Sequence, residues 1–167
     1  GFERKSFADL LRDFAYRLDP LVMGRIRPER LTVLVDELGW EGAKRTYPDI
    51  RRLLQRLGTD AGRKVLGDDV WVGAAMASLE PGKDYVFTDC RFPNEADAIV
   101  SAGGIVVRVV NLYEDHAALP GHVSETAMDD YAVDYTIVNS PVYPPGWVQS
   151  QLVNVTTDAR ARKEEAA

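Results

Sequence analysis

An acid and an arginine stand close together after an apolar segment in the stretch YVFTDCRFPNEA, residues 85–96. Tyr85–Thr88 has the composition of a short buried strand, and Asp89 and Arg91 follow it. A carboxylate at the end of a strand is suited to reach the metal of a magnesium–nucleotide complex, and an arginine is suited to bind a phosphoryl group. The alternative is structural: Asp89 caps the turn that follows, and Arg91 pairs with Glu95. The residues alone leave both interpretations open.

A second polar group lies on the helix predicted for PDIRRLLQRLGTD, residues 48–60. Its apolar residues, at positions i, i+3, i+4 and i+7, form one stripe: Ile50, Leu53, Leu54 and Leu57. The other side carries polar residues: Arg51, Arg52, Gln55 and Arg56. Because the apolar stripe docks the helix, these side chains project from a rigid support and are suited to bind an anion. A solvated helix face is the alternative. Gly58 is predicted to end the helix.

Two further features are weaker indications of a functional site. Trp71 lies on the helix predicted for DDVWVGAAMASLE, where it either joins the core or offers a stacking surface. His122, Ser124 and Glu125 bring three polar side chains together, but Ser124 and Glu125 could equally cap a short helix. The sequence has no Cys and His at metal-ligand spacing, and no serine or cysteine in the setting of a nucleophile.

Two segments imitate a phosphate-binding loop without matching it. The P-loop requires G-x-x-x-x-G-K-[ST] between a strand and a helix. In GTDAGRK, Gly58 and Gly62 stand one residue too close, and no lysine follows Gly62 directly. EPGKDY precedes a strand, and Ala77 stands where the first glycine is required. The 167 residues therefore contain no P-loop.

The elements that must position these residues indicate an α/β fold. Strands are predicted at FERKSFA, at Tyr85–Thr88, at GIVVRVVN and at YTIVN. Helices are predicted at DLLRDFAYRL with Asp9 as N-cap, at PERLTVLVDELG up to Gly39, at PNEADAIVSAGG, and around Trp147–Val155. We expect one domain over residues 1–167, with 156–167 as a flexible tail. In such folds ligands bind beyond the carboxyl ends of the strands, where Asp89 and Arg91 are predicted.

The charge pattern favours a small anionic ligand over a polymer. The net charge is −6, which argues against general nucleic-acid binding, yet fifteen arginines stand against five lysines. A lone cysteine, Cys90, fits a reducing, cytoplasmic setting. The sequence has no signal-peptide pattern and no apolar run near the roughly 20 residues that a membrane span needs.

In their order along the chain, several segments resemble the phage-type deoxynucleoside monophosphate kinase family. The segments are SFADLLRD, IRRLLQRLGTDAGR, DDVWV, DYVFTDCRFPNEADAIVSAGGIVVRVV, HVSE and DYTIVN. The resemblance spans roughly residues 1–139. It implies a P-loop NTPase-like three-layer sandwich with a mostly parallel sheet flanked by helices, in a protein that is usually a homodimer. The implied activity transfers the terminal phosphoryl group of ATP to a deoxynucleoside monophosphate, with Mg²⁺, in the host cytoplasm if the protein is phage-encoded.

The same resemblance implies roles for individual residues. Arg91, Asp89 and Arg52 are the implied catalytic group, with Asp89 reaching the Mg²⁺ directly or through water. The implied acceptor site extends to further residues: Leu11, Arg12, Arg51, Gln55, Gly58, Thr59, Trp71 and Glu95. His122–Glu125 match an H-x-[ST]-E segment of the family. The family places its P-loop before the stretch that matches GFERKSFA, so we expect about 25 residues upstream of Gly1 to carry it.

Two other functions stay open at this point. A non-catalytic nucleotide-binding protein would keep the monophosphate pocket without a donor site. A P-loop kinase for another small acceptor would keep the fold and change the substrate, because fold alone does not fix function.

Overall fold

The computed structural model describes residues 1–112 and 126–165, and the side chains as far as residue 162. These residues form two compact units, Gly1–Cys90 and Arg91–Ala167. Residues 1–112 and 126–165 contain six α-helices and three small two-stranded sheets, two of them parallel, so the predicted α/β class is confirmed. Over the described ranges, no helix combines the length and the hydrophobicity that crossing a membrane requires.

The first unit carries four strands, four α-helices and one π-helical segment. In chain order they are β1 Phe2–Lys5, α1 Asp9–Leu18, β2 Leu21–Met23, β3 Pro28–Arg30, α2 Leu31–Thr46, α3 Pro48–Gln55, the π segment Arg56–Leu66, α4 Val70–Ala77 and β4 Asp84–Phe87. β1 pairs with β4 in parallel, with Lys5 opposite Phe87. β2 pairs with β3 in antiparallel orientation. The predicted strands FERKSFA and Tyr85–Thr88 are therefore neighbours in one sheet.

The core of the first unit lies between its helices. The buried residues that form one cluster are Ala15, Val22, Leu31, Leu34, Val35, Ala43, Tyr47 and Ile50. The predicted apolar stripe of α3 faces this cluster: Ile50 is fully buried, and Leu53, Leu54 and Leu57 pack against it. The docked helix that the sequence predicts is thus present, and the polar residues of α3 project away from a packed support.

The two glycines that were predicted to end helices differ from each other. Gly39 adopts φ 67° and interrupts the helical conformation as predicted, and a second helical stretch follows it as far as Thr46. Gly58 does not end α3, because the chain continues as the π segment, with hydrogen bonds of the i→i+5 type. Tertiary contacts around Gly58 stabilise this continuation and are described with the site. Residues 28–30, predicted as the start of a helix, form β3.

In the second unit, the described residues form two strands and two α-helices: α5 Pro93–Ser101, β5 Val107–Asn111, β6 Tyr135–Asn139 and α6 Trp147–Glu165. β5 pairs with β6 in parallel, with Val107 opposite Tyr135. α5 begins with Pro93 as predicted. α6 continues to Glu165, through most of the segment 156–167 that we predicted as a flexible tail, and the Ala, Arg, Lys and Glu residues there have high helix propensity.

Asp134 connects the start of β6 to α6. Its carboxylate accepts the Val106 N–H at 2.8 Å and a bond from Arg162 Nη1 at 2.6 Å. Desolvation acts to raise the pKa of Asp134, but the hydrogen bond from Val106 and the pairing with Arg162 outweigh it, so the pKa is lowered from its ordinary value. The stabilisation is therefore present above the pKa of the unfolded chain, about 3.9, and is lost as the pH falls through the lowered pKa.

Replacing Asp134 with Asn is expected to lower the free energy of unfolding by about 1–3 kcal/mol at pH 7, because the charged acceptor of two bonds is lost. The difference from the parent should narrow as the pH falls below about 4, because Asp134 of the unfolded chain then becomes protonated while the folded protein still favours the carboxylate. Urea unfolding between pH 7 and pH 3 measures both effects. Asp130→Asn, at an exposed residue of the same unit, is the control. A difference of equal size at pH 3 and pH 7 would contradict the assignment.

Candidate functional site

Asp89 binds the loop that connects β1 to α1. Its Oδ2 accepts hydrogen bonds from the Ser6 hydroxyl and from the Ala8 N–H at 3.1 Å. Its Oδ1 accepts the Phe7 N–H at 3.0 Å. Asp89 therefore satisfies amide groups at the start of α1, where a helix leaves its N–H groups without partners. The sequence analysis offered the alternative that Asp89 caps the turn that follows it. In the structure Asp89 instead caps the loop that precedes α1.

The parallel pairing of β1 and β4 explains why Asp89 reaches this loop. Lys5 and Phe87 are opposite each other in the register, so the two strands end side by side and their following residues meet. Phe7 and Phe87 stack with ring centroids 4.4 Å apart, which packs the loop against β4. The Thr88 N–H donates to the Lys5 carbonyl at 3.3 Å. The loop and Asp89 are thereby held at the carboxyl end of both strands.

α1 carries two of the predicted acceptor residues close to this loop. Arg12 pairs with Asp9 at 3.2 Å, and its side chain is 19% exposed. Asp9, predicted as the N-cap, is the first residue of α1, and its carboxylate accepts the Ser6 N–H at 2.9 Å. Leu11 lies against the π segment: a Cβ added to Gly58 would stand 3.0 Å from Leu11 Cδ2. The position of Leu11 and Arg12 therefore depends on the loop that Asp89 binds.

Trp71 joins α4 to the π segment. Its indole Nε1 donates to the Gly58 carbonyl at 2.9 Å. Gly62 lies against the indole ring, since a Cβ there would stand 2.7 Å from ring atoms. The structure thus brings together three of the predicted acceptor residues, namely Leu11, Gly58 and Trp71, and Thr59 follows Gly58 directly.

Arg52 lies on a different side of α3 from this group. It pairs with Asp49 and lines a groove of about 800 Å³ between β2 and the helical residues. The lining is mostly apolar: Leu21, Val22, Met23, Leu53, Leu57, Ala61 and Val65, with Asp49, Arg52, Arg56 and Asp60 also contributing. Arg51 is exposed and Gln55 is partly buried. Arg52 and Gly58, which the resemblance assigns to one site, therefore lie on separate faces of one helical run.

Arg91 and Glu95 lie in the second unit. Arg91 is exposed, and its main-chain N–H donates to Glu95 Oε2 at 2.7 Å. Glu95 is 4% exposed and also accepts the Phe92 N–H at 3.1 Å, so its carboxylate caps the start of α5. Glu95, which the resemblance assigns to the acceptor site, thus stabilises the start of α5 in the structure.

Two buried polar residues near these groups were missed by the sequence reasoning. Ser6, 4% exposed, donates to Asp89, and Arg63, 8% exposed, donates from Nη1 to the Asp68 carbonyl at 2.8 Å. The position of Ser6 directly after a predicted strand is a weak signal that its hydroxyl belongs to the site. The sequence gives no sign that Arg63 is buried, because an arginine is almost never fully buried unless it is paired. His122–Glu125 lie outside the described residues.

The carboxylate of Asp89 is suited to bind Mg²⁺ through a water molecule. The described residues contain no cluster of three or more His, Cys, Asp or Glu side chains that could hold a metal ion. Mg²⁺ in nucleotide sites is, however, commonly held by one or two carboxylates together with water and substrate phosphates. Asp89 Oδ1 accepts one hydrogen bond from the described residues, so it keeps acceptor capacity for a water of the metal.

Comparison with known proteins supports the resemblance noted in the sequence. The deoxynucleoside-5'-monophosphate kinase of Escherichia phage T5 is 25% identical to the chain over 140 residues, which is 78% of the chain and 54% of that kinase. The chain resembles a deoxynucleoside monophosphate kinase. It spans about half the length of that kinase. No family model matches the chain, and no solved structure gives a significant match.

Proposed function

We propose that the chain is part of a deoxynucleoside monophosphate kinase, which transfers the γ-phosphoryl group of ATP to a deoxynucleoside monophosphate and gives the diphosphate and ADP. The observation that carries the proposal is the similarity to the phage T5 kinase across 78% of the chain. The finer fold that belongs to this function is the P-loop NTPase-like sandwich, and the parallel pairing of β1 with β4 and of β5 with β6 is consistent with it. A homodimer is part of the proposal.

The acceptor nucleotide is proposed to bind where α1 meets the π segment. Leu11, Gly58 and Thr59 would contact the base and sugar, and Arg12 would reach the phosphate. Arg12 is suited to this role because its guanidinium is held by Asp9 and retains N–H donors for a phosphate. Gln55 and Arg51 are proposed to extend this site along α3. The role near the phosphates that the resemblance implies for Arg52 is not part of the proposal, because Arg52 pairs with Asp49 on a separate face of the helical run.

A site for phosphoryl transfer acts mainly by positioning its two substrates. Phosphoryl transfer requires two anions to be held in line while negative charge spreads over the transferred group. Arg91 is proposed to bind that group during transfer, and Glu95 to hold the main chain of Arg91 through the bond at 2.7 Å. Mg²⁺, when bound, neutralises charge on the phosphates of ATP. Asp89 would hold it through water.

A kinase assay and a binding assay on the protein that carries this chain test the proposal. ADP release is measured with ATP, Mg²⁺ and each of the four deoxynucleoside monophosphates, and calorimetry measures their binding without ATP. We expect both binding and phosphorylation of at least one of the four. A ribonucleoside monophosphate and a deoxynucleoside without phosphate serve as matched controls.

The two alternative functions correspond to other outcomes. Binding of a deoxynucleoside monophosphate without any transfer would favour a non-catalytic nucleotide-binding protein; the lack of a P-loop in the 167 residues is the observation behind that alternative. Phosphorylation of a non-nucleotide acceptor only would favour a kinase for another small molecule.

A further inference from the structure

Trp71 makes two contacts with successive turns of the π segment. The indole Nε1 donates to the carbonyl of Gly58 at 2.9 Å. Four residues further on, Gly62 is buried against the same ring, where a Cβ would stand 2.7 Å from Cζ2 and Nε1 and 2.8 Å from Cε2. Contacts this short are essentially never made by a real Cβ, so the ring occupies the space that a side chain at position 62 would need.

The π segment requires support from outside its own backbone. π-helical conformation is rare, usually covers a single turn, and is often found at functional sites. Here it extends over eleven residues, Arg56–Leu66. It also contains two glycines, Gly58 and Gly62, which lower the intrinsic preference for any helix. Trp71 contacts both glycines, so one side chain stabilises the part of the segment with the weakest local preference.

We propose that Trp71 is a positioning residue, which holds the π segment in the arrangement that presents Gly58 and Thr59 to the acceptor nucleotide. This inference rests on the proposed function, because the acceptor roles of Gly58 and Thr59 belong to it. It differs from the role that the resemblance implies, in which Trp71 itself lies against the base. The indole N–H already binds the Gly58 carbonyl, and one edge of the ring already packs on Gly62.

Replacing Trp71 with Phe separates positioning from stacking. Phe keeps an aromatic face but has no N–H, so a stacking role predicts binding close to that of the parent, and a positioning role predicts a loss. We expect the affinity for the deoxynucleoside monophosphate to fall about fivefold to tenfold, the effect of one lost, partly buried hydrogen bond. Hydrogen exchange of the amides of residues 56–66 should become faster, with α6 unchanged. Trp40→Phe, at a tryptophan of α2 that packs on the core cluster, is the matched control.

Replacing Gly62 with Ala tests the second contact without changing Trp71. The added Cβ forces the ring or the segment to move, so exchange in residues 56–66 should again become faster and acceptor affinity should fall. Gly73→Ala is the matched control, because the same methyl group on α4 meets nothing within 4 Å. It is expected to leave exchange and affinity unchanged.

The two readouts distinguish failure of the inference from failure of the proposed function. If the parent protein binds no deoxynucleoside monophosphate, the proposed function falls together with the acceptor roles of Gly58 and Thr59. Hydrogen exchange then still shows whether Trp71 holds the π segment. If the parent binds and Trp71→Phe binds equally well, the positioning role is overturned although the function stands. Unchanged exchange in both Trp71→Phe and Gly62→Ala overturns it as well.

Discussion

Replacing Asp89 with Asn is expected to destabilise the first unit by about 2–4 kcal/mol, because the charged acceptor of three hydrogen bonds is lost in a partly buried position. Asn retains one acceptor oxygen and presents an NH₂ group to donors of the loop. The N–H groups of Phe7 and Ala8 and the Ser6 hydroxyl therefore cannot all keep their partners. Urea unfolding of the protein without nucleotide and without Mg²⁺ measures this effect.

The same substitution is expected to lower kinase activity by about 10²–10³-fold, through displacement of Leu11 and Arg12 and loss of the carboxylate that the proposal assigns to Mg²⁺. Ser6→Ala separates the two causes. It removes one donor to Asp89 and leaves the carboxylate in place, so we expect part of the stability loss and a smaller loss of activity. Asp13→Asn, on the exposed side of α1, is the charge control and should stay within about 0.5 kcal/mol. An unchanged unfolding midpoint for Asp89→Asn would contradict the role of Asp89 in the loop.

The elements with strong local patterns could be predicted from the sequence. α5 begins with Pro93 and has an acid, Glu95, in its first turn, and the apolar stripe of α3 repeats at helical spacing, so both were found. The strands rich in β-branched and aromatic residues were also found. In each case the determining residues lie within one or two turns of each other, where propensity and periodicity act.

The π segment could not be predicted, because its cause is tertiary. Gly58 is a helix stop by local rules, yet the chain continues past it as the π segment, and Trp71, thirteen positions later, binds its carbonyl. The continuation after Gly39 has a similar origin, since Ala43 and Tyr47 beyond it join the buried cluster. Local propensity is a weak prior where a packed core decides.

The candidate site was predictable only where its residues follow a strand that local sequence patterns reveal. Contacts between residues far apart in the chain could not be predicted. The sequence places Asp89 and Arg91 at the end of a strand, and the structure has β4 ending at Phe87, just before them. It could not show that Asp89 binds Ser6, which lies 83 positions earlier in the chain. The grouping of Leu11, Gly58 and Trp71 depends on how three helical elements pack. The separation of Arg52 from Gly58 depends on the same packing.

Replacing Arg91 with Ala is expected to lower kcat by about 10²–10³-fold, the effect of removing one charge donor that acts on the transferred group. The KM for the acceptor should change much less, because the proposed contact forms mainly in the transition state. Folding should be affected little, since the residue is exposed and Ala retains the main-chain N–H that donates to Glu95. Steady-state kinetics with urea unfolding in parallel measure the three quantities.

Two further variants make the interpretation specific. Arg91→Lys keeps the charge and loses the planar fork that binds two oxygens at once, so its kcat should lie between those of the parent and Arg91→Ala. Arg17→Ala removes the same charge from an exposed position of α1, where the side chain is 77% exposed and pairs with Asp13, and should leave kcat unchanged. If Arg91→Ala folds and retains full activity, Arg91 is not the group that stabilises the transferred phosphoryl, because a guanidinium in that role has no substitute in an alanine side chain.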